Sequence, residues 1–304
     1  MTNQEIIQNE YLKNRYMRCL SDEEFMNRFN LVFENMCIID DNGKISLGSV
    51  NSPERMFWFQ HWIRICAEAE LRTIYANQIA NVYLTKKTHQ FLEKIDIKKL
   101  KQIRSKTEKQ NYLYKYGKEK FLRKIIEDGE IYIRPASFYS DSSLNSAIKD
   151  DELRRYYLLN QNYKNVNIKI QLNNENHSIN KGIYKKTINS DYYVYCLAEF
   201  FDPRLFNDFD ADSCLIIKHP QDFIKKIKNS LAGELFSFSC GKVKYFDPLL
   251  DNPFETSLIY SKNFAYSYQN EFRLAFVPYN TRSLNATVIK LSNIAEYLEI
   301  VKII

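Results

Sequence analysis

The segment Tyr268-Gln269-Asn270-Glu271-Phe272-Arg273-Leu274-Ala275-Phe276 constrains the fold more than any other stretch of the chain. After Glu271 the residues alternate, with Phe272, Leu274 and Phe276 on one side and Arg273 and Ala275 on the other. That period of two is the mark of a strand with one apolar face. Three large side chains on one face demand a sheet with a core against it, and the strand that supplies them begins on a carboxylate. A carboxylate at a strand end can project into a cleft and stabilise a developing positive charge. Glu271 can equally be the ion-pair partner of Arg273 or of a nearby lysine, and the sequence leaves both readings open.

The rest of the chain divides into a helical N-terminal region, residues 1–110, and an α+β region, residues 111–304. Ser21-Asp22-Glu23-Glu24 is a capping box, followed by Phe25, Phe29, Val32 and Phe33 at helical spacing. Asp40-Asp41-Asn42-Gly43 reads as a tight hairpin turn between Ile38-Ile39 and Ile45-Leu47. Ser52-Pro53 starts a helix, and the breaker-free run to about Leu84 predicts one long buried helix. One or two further helices cover 86–110. Beyond residue 111, strands are expected at Tyr112–Tyr116, Glu130–Arg134 (ended by Pro135), 166–172, 192–198, 213–218, 235–245, 271–277 and 286–291. Helices are expected at Phe121–Ile126, closed by Asp128-Gly129, at about Asn145–Leu159 and at 220–230.

Composition narrows the function classes. Six scattered cysteines without a C-x-x-C pair, no secretory leader and no long apolar run predict a cytoplasmic protein with reduced thiols and no membrane segment. The four histidines stand too far apart for a zinc site, so no metal is expected. There is no P-loop, G-x-G-x-x-G or G-x-S-x-G motif. The formal net charge is +6, and residues 86–110 alone carry nine basic side chains against three acidic ones. Lys86, Lys87, Lys98, Lys99, Lys101 and Arg104 in that stretch are candidates for following a nucleic-acid backbone; a solvated helix face is the other reading.

In its order of pieces, 111–304 resembles a family of bacterial domains with an ADP-ribosyltransferase-like fold. The matching segments are Leu113-Tyr114-Lys115-Tyr116, Glu127-Asp128-Gly129-Glu130-Ile131-Tyr132-Ile133, Ala136-Ser137-Phe138, Val194-Tyr195-Cys196-Leu197-Ala198, Gly241-Lys242-Val243-Lys244-Tyr245, and a close through Lys262, Phe264, Tyr266 and Tyr268 to Gln269-Asn270-Glu271-Phe272-Arg273. The resemblance implies a split β-sheet that binds NAD as substrate. It places Lys115, with Tyr114 and Tyr116, where the family carries a His or Arg that orders the NAD ribose. Tyr195-Cys196 falls at the nicotinamide side, and Glu271 at the catalytic glutamate of a Q-x-E motif, with Gln269 directing acceptor choice. Arg134 and Phe138 join the cofactor-binding candidates. Arg134, Arg154 and Arg155 are alternative cations to Lys115. Cys196 is expected to be a core thiol.

The resemblance thus implies an NAD-dependent ADP-ribosyltransferase of toxin or anti-phage defence type, acting on an RNA or DNA base or on a protein, with no metal. An antitoxin or other regulatory partner would fit such a system, with residues 1–110 as recognition or autoinhibitory module. A nucleic-acid- or protein-binding module that kept the fold and lost catalysis is the alternative. A nuclease using Asp141, Asp150, Asp151 and Glu152 is a third, against which the run Asp150-Asp151-Glu152-Leu153-Arg154-Arg155 reads as a solvated helix face.

Overall fold

The computed structural model describes residues 2–48, 53–74, 86–159, 167–172, 175–180, 182–231, 236–255, 257–280 and 284–304, without the side chains of residues 53, 54, 86 and 255. The chain forms two compact units, Met1–Ile97 and Lys98–Ile304. The boundary expected from sequence lay at 110/111; the units divide thirteen residues earlier, inside the basic stretch (110 − 97 = 13). No described helix is long and apolar enough to cross a membrane.

The first unit holds α1 (Asn3–Lys13), α2 (Asp22–Met36), β1 (Cys37–Ile39), β2 (Ile45–Leu47), α3 (Pro53–Leu71) and α4 (Lys86–Leu92). Capping boxes start α1, from Thr2 and Glu5, and α2, from Ser21 and Glu24. Each satisfies two backbone N–H groups that a helix start leaves open. The hairpin β1–β2 turns where the sequence predicts. The Asp40 carboxylate accepts from the Asn42 and Lys44 amides at 2.8 and 2.9 Å, and Gly43 sits at φ +68°. The helices are clamped by Glu68 of α3, whose side chain is fully buried. It accepts from the Tyr11 hydroxyl at 2.5 Å, from Arg15 at 3.0 and 3.1 Å and from Arg72 at 2.8 Å. Arg72 also donates to the Met17 and Leu20 carbonyls and to Asp22. A buried carboxylate is tolerated when its lone pairs are filled this completely. The expected helix to Leu84 stops at Leu71, with Thr73 at φ +56° and the Ile74 amide donating to the Ala69 carbonyl. Residues 75–84 lie outside the described residues.

The second unit runs through α5 (Ile97–Thr107), which starts at the boundary, β3 (Leu113–Gly117), α6 (Glu119–Glu127), β4 (Glu130–Pro135), β5 (Arg154–Leu158), β6 (Asn167–Leu172), β7 (Glu175–Asn180), β8 (Ile183–Ile188) and β9 (Tyr193–Ala198). It continues with α7 (Arg204–Asp208), β10 (Ser213–Ile217), α8 (Pro220–Ser230), β11 (Phe236–Lys242), β12 (Lys244–Phe246), β13 (Ser261–Asn263), β14 (Glu271–Pro278), β15 (Thr287–Lys290) and β16 (Leu298–Val301). The fold is mixed α/β with several antiparallel sheets. The main sheet has the order β11-β14-β9-β3-β10-β16, antiparallel throughout. A second antiparallel sheet has the order β5-β8-β7-β6, and β12 pairs with β13 in parallel.

The main sheet is forked. On one edge of β9, β3 pairs at Tyr114↔Ala198, while β4 pairs at Arg134↔Val194 and Pro135↔Tyr193. From Val194 to Ala198 is four residues, roughly 13 Å at the usual strand rise. Between those two pairings, Tyr195, Cys196 and Leu197 are in register only with β14. One face of the sheet receives α6 and α8, through Leu122, Ile125, Phe223 and Ile227, packed with Leu113, Tyr195, Leu197, Leu215, Leu274 and Phe276. This is the core that the alternation after Glu271 requires.

One expected element is absent. A charged helix over Asn145–Leu159 is predicted from sequence; the structure has turns, in which the Asn145 carboxamide accepts from the Ala147 and Ile148 amides, and then β5. Arg155 and Tyr157 point inward while Arg154, Tyr156 and Leu158 are exposed, a strand period on charged residues.

Gly129, which ends α6, is the backbone position with least latitude. It lies at φ +66°, and a Cβ there would meet the Leu291 carbonyl oxygen at 1.9 Å. The Leu291 amide donates to Gly129 across that contact at 2.9 Å. Gly129→Ala is expected to destabilise the second unit by more than the ~1–2 kcal/mol that a left-handed L-residue costs. Exposed Ser105→Ala should change it by less than about 0.5 kcal/mol. Urea unfolding midpoints of the two variants check this.

Candidate active site

Glu271 opens β14 and is held there by its own backbone. Its amide donates to the Tyr245 hydroxyl at 2.8 Å, and its carbonyl accepts from the Val243 amide at 2.9 Å. Asn270, at φ +43°, turns the chain into the strand. Because Phe272, Leu274 and Phe276 face the helix-covered core, Glu271 and Arg273 face the opposite side, where Arg273 is 0% and Glu271 4% exposed.

On that side lies a buried cluster of charges. The Glu271 carboxylate accepts from Arg273 Nε at 2.8 Å and from Lys262 Nζ at 3.0 Å. The far side of the Arg273 guanidinium grips Glu152 with two bonds, 2.7 and 3.0 Å, and also donates to the Ile259 carbonyl. Arg155 donates to Glu152 at 3.0 Å and to the Ser261 carbonyl, and stands 3.5 Å from Asp150. Three carboxylates, Asp150, Glu152 and Glu271, thus meet three cations, Lys262, Arg155 and Arg273.

The electrostatics follow from this arrangement. Burial alone would raise the Glu271 carboxyl, but Arg273 and Lys262 outweigh it and hold the group well below the usual range. Burial would raise the Glu152 carboxyl as well, but Arg273 and Arg155 outweigh it and hold the group low. Burial and the neighbouring Glu152 carboxylate act together on Asp150, which is pushed up to about 6.

The sequence-derived candidates fare differently. Gln269 is buried and its amide is fully engaged: Oε1 accepts from Lys262 at 2.9 Å and Nε2 donates to the Ala147 carbonyl at 2.8 Å. It contacts the cluster rather than standing free for an acceptor. Lys115 lies at the fork, where Nζ donates to the Cys196 carbonyl at 2.8 Å and sits 4.5 Å over the Tyr195 ring. Burial pushes the Lys115 ammonium pKa down, and Cys196 and Glu271 pull it partly back. Tyr195 is buried with its hydroxyl unpartnered among the described residues. The Cys196 thiol is pushed far up by burial and by Glu271, so it is an inert thiol beside the cluster.

Tyr114 and Tyr116 belong to the core. Tyr114 packs on Phe201, and the Tyr116 hydroxyl accepts from the Asp202 amide while its ring meets Phe206 edge-on. Arg134 lies at the fork with its guanidinium 4.1 Å from the Phe138 ring centre. Arg154 is exposed and paired with Asp151 at 3.4 Å, whereas Arg155 is locked in the cluster. Of the basic candidates, Lys87 is exposed on α4 of the first unit; Lys98, Lys99 and Lys101 are exposed on α5, and Arg104 is half-buried there. The side chain of Lys86 is outside the described residues.

Two readings of residues are corrected. Asp150 and Glu152, taken from sequence as part of a solvated helix face, are drawn into the cluster, with Glu152 3% exposed. Lys262, quoted only as part of a motif, bridges Gln269 and Glu271. The inward alternation of Arg155 and Tyr157 is the one signal that could have placed this segment against a sheet. Among the described residues no group of three or more His, Cys, Asp or Glu side chains is placed to hold a metal ion.

A cluster of this kind holds one carboxylate ionised, oriented and shielded from solvent, beside a gap in the sheet edge. No protein-family model matches the chain, and neither curated proteins nor solved structures contain a significant match.

Asp150 offers a direct test of the electrostatics. A carboxyl whose folded pKa is raised contributes stability that is present below the unfolded value, about 3.9, and is lost as pH rises through the folded value, about 6. Asp150→Asn mimics the protonated form. The stability gain over the unsubstituted protein should therefore grow between pH 4 and pH 7, by on the order of 1–3 kcal/mol, and stay level above pH 7. Denaturation at several pH values checks this; a gain independent of pH would show that Asp150 is not held protonated by the fold.

Proposed function

We propose that the protein is an NAD-consuming ADP-ribosyltransferase of toxin or anti-phage defence type, with an ADP-ribosyltransferase-like split sheet as its second unit. The observation that carries this is the placement of the three segments on which the resemblance rests. Leu113–Tyr116, Val194–Ala198 and Gln269–Arg273 fall on the neighbouring strands β3, β9 and β14, and the fork opens beside the middle one. Breaking the bond between nicotinamide and ribose builds positive charge on the sugar, as in glycoside hydrolysis. Glu271 is the carboxylate that would face it, and Lys115 the cation at the fork. Exposed Lys98, Lys99 and Lys101 on α5 favour a nucleic-acid acceptor over a protein.

One observation favours the second reading, a binding module without catalysis. Both oxygens of Glu271 already accept hydrogen bonds inside the protein, and the residue is almost fully buried. Such a module binds RNA or DNA with a steep salt dependence and does not turn over NAD.

Incubation of the purified protein with labelled NAD and separate RNA, DNA and protein fractions decides between them. Label is expected in the nucleic-acid fraction. Glu271→Gln, which keeps the shape and leaves Arg273 its bond to Glu152, is expected to reduce transfer at least about hundredfold, the scale of removing one transition-state contact, with a folded circular dichroism spectrum. Full transfer by that variant removes Glu271 from catalysis. No label in any fraction, with salt-sensitive nucleic-acid binding, establishes the binding module.

A further inference from the structure

The sheet β5-β8-β7-β6 loses its cover strand by strand. Residues directly opposite one another in a sheet share a face, so Tyr157, Tyr184, Ile179 and Ile168 form one row across it. Tyr157 and Tyr184 are buried against Phe246, Ile179 is half-buried, and Ile168 at the end of the row is 44% exposed. Arg155, Lys186 and His177 form the next row and are all buried, yet Ile170 beyond them is 50% exposed. Leu172, on the same face, is 53% exposed. The inward face of the sheet therefore runs on past its cover, to an outermost strand with three open aliphatic side chains.

That strand is also an open edge. Among the described residues β6 pairs with β7 alone, in six consecutive pairs without a bulge. Its other side presents backbone N–H and C=O groups to any strand that can lie along it. Proteins usually blunt such an edge with proline, a bulge or several charges. The strand Asn167-Ile168-Lys169-Ile170-Gln171-Leu172 has no proline, glycine or acidic residue, and its one charge is Lys169.

The alternation selects the strand that fits. Two copies of β6 running antiparallel about a two-fold axis at Ile170 put Ile170 opposite itself and Ile168 opposite Leu172, so that all three aliphatic positions join on one face. On the other face Lys169 falls opposite Gln171. An axis at Lys169 would set two like charges opposite each other, and an axis at Gln171 would carry Ile168 past the end of the strand. A slip of one residue would set an aliphatic against a polar side chain at every pair. We infer that a second copy of this chain docks on β6 in the register centred on Ile170, so that the sheet runs continuously through both copies. Six residues a side is a small contact, which makes the dimer weak and concentration-dependent. The pairing is independent of the proposed function.

Sedimentation velocity of the full-length protein over a wide concentration range tests this, with Ile170→Lys, Gln171→Glu and Gln171→Lys beside the unsubstituted protein. The unsubstituted protein is expected to pass from monomer to dimer as concentration rises. Ile170→Lys, which sets two ammonium groups opposite each other on the axis, should weaken the dimer at least about tenfold. Gln171 is exposed, on the face away from the core, so its two variants should melt as the unsubstituted monomer does by circular dichroism. Gln171→Glu gains an ion pair with Lys169 on each side of the axis and should tighten the dimer at low salt, while Gln171→Lys should loosen it. Opposite shifts from the two Gln171 variants uphold the pairing and its register. A protein that stays monomeric at every concentration overturns it. A dimer that none of the three variants moves also overturns it, since that dimer uses another surface.

Discussion

Arg273 is the interaction around which the second unit is assembled. Its guanidinium is fully buried and permanently charged, so the fold has to deliver anions to it. Glu152 arrives from 121 residues upstream and binds it with two bonds, while Glu271 arrives from two residues away on the same face of β14. The Ile259 carbonyl completes the set. One side chain thereby ties the turn before β5, the segment leading into β13 and the centre of the main sheet. It also fixes register: slipping β14 by one residue would drive Arg273 into the apolar layer and Leu274 into the charges. Removing one partner from such a set costs about 3–5 kcal/mol, because the remaining charge stays buried and unpaired.

Much of the fold follows from periodicity that is visible along the chain. The strand after Glu271, the capping box at Ser21, the turn at Asp40–Gly43 and the helix closed by Gly129 all appear where local chemistry places them, because each is decided by residues a few positions apart. The segment 145–159 does not. A strand whose inward side carries Arg155 lacks the apolar stripe by which buried strands are recognised, so its charges read as solvated. The hairpin β7–β8 hides in the same way, with His177 and Lys186 buried on it. The end of α3 carries no glycine or proline; Thr73 takes the left-handed turn itself, and nothing in its residue type announces that.

The candidate site divides along the same line. Glu271 is legible because alternation isolates it at a strand start. Its partners are not, since Glu152 and Lys262 reach it through tertiary folding alone. Lys115 and Arg134 are both candidates from sequence, but their place at the fork is not legible there. That place depends on β4 joining β9 at Val194, on the edge where Lys115 reaches the Cys196 carbonyl.

The ion pairs around Glu271 also limit what it can do. A carboxylate held well below its ordinary range by two cations is a poor base at neutral pH, so a proton-abstracting role fits it badly. A role that needs only a fixed negative charge, or an acceptor for a sugar hydroxyl, fits it well. Each carboxylate oxygen has two lone-pair directions; Arg273 lies against Oε1 and Lys262 takes one direction on Oε2. Departure of nicotinamide from ribose asks for charge stabilisation rather than proton removal at the sugar, because the leaving ring becomes neutral as the sugar becomes cationic. In the proposed chemistry the ion pairs around Glu271 are therefore compatible with function: they orient the carboxylate and keep it ionised.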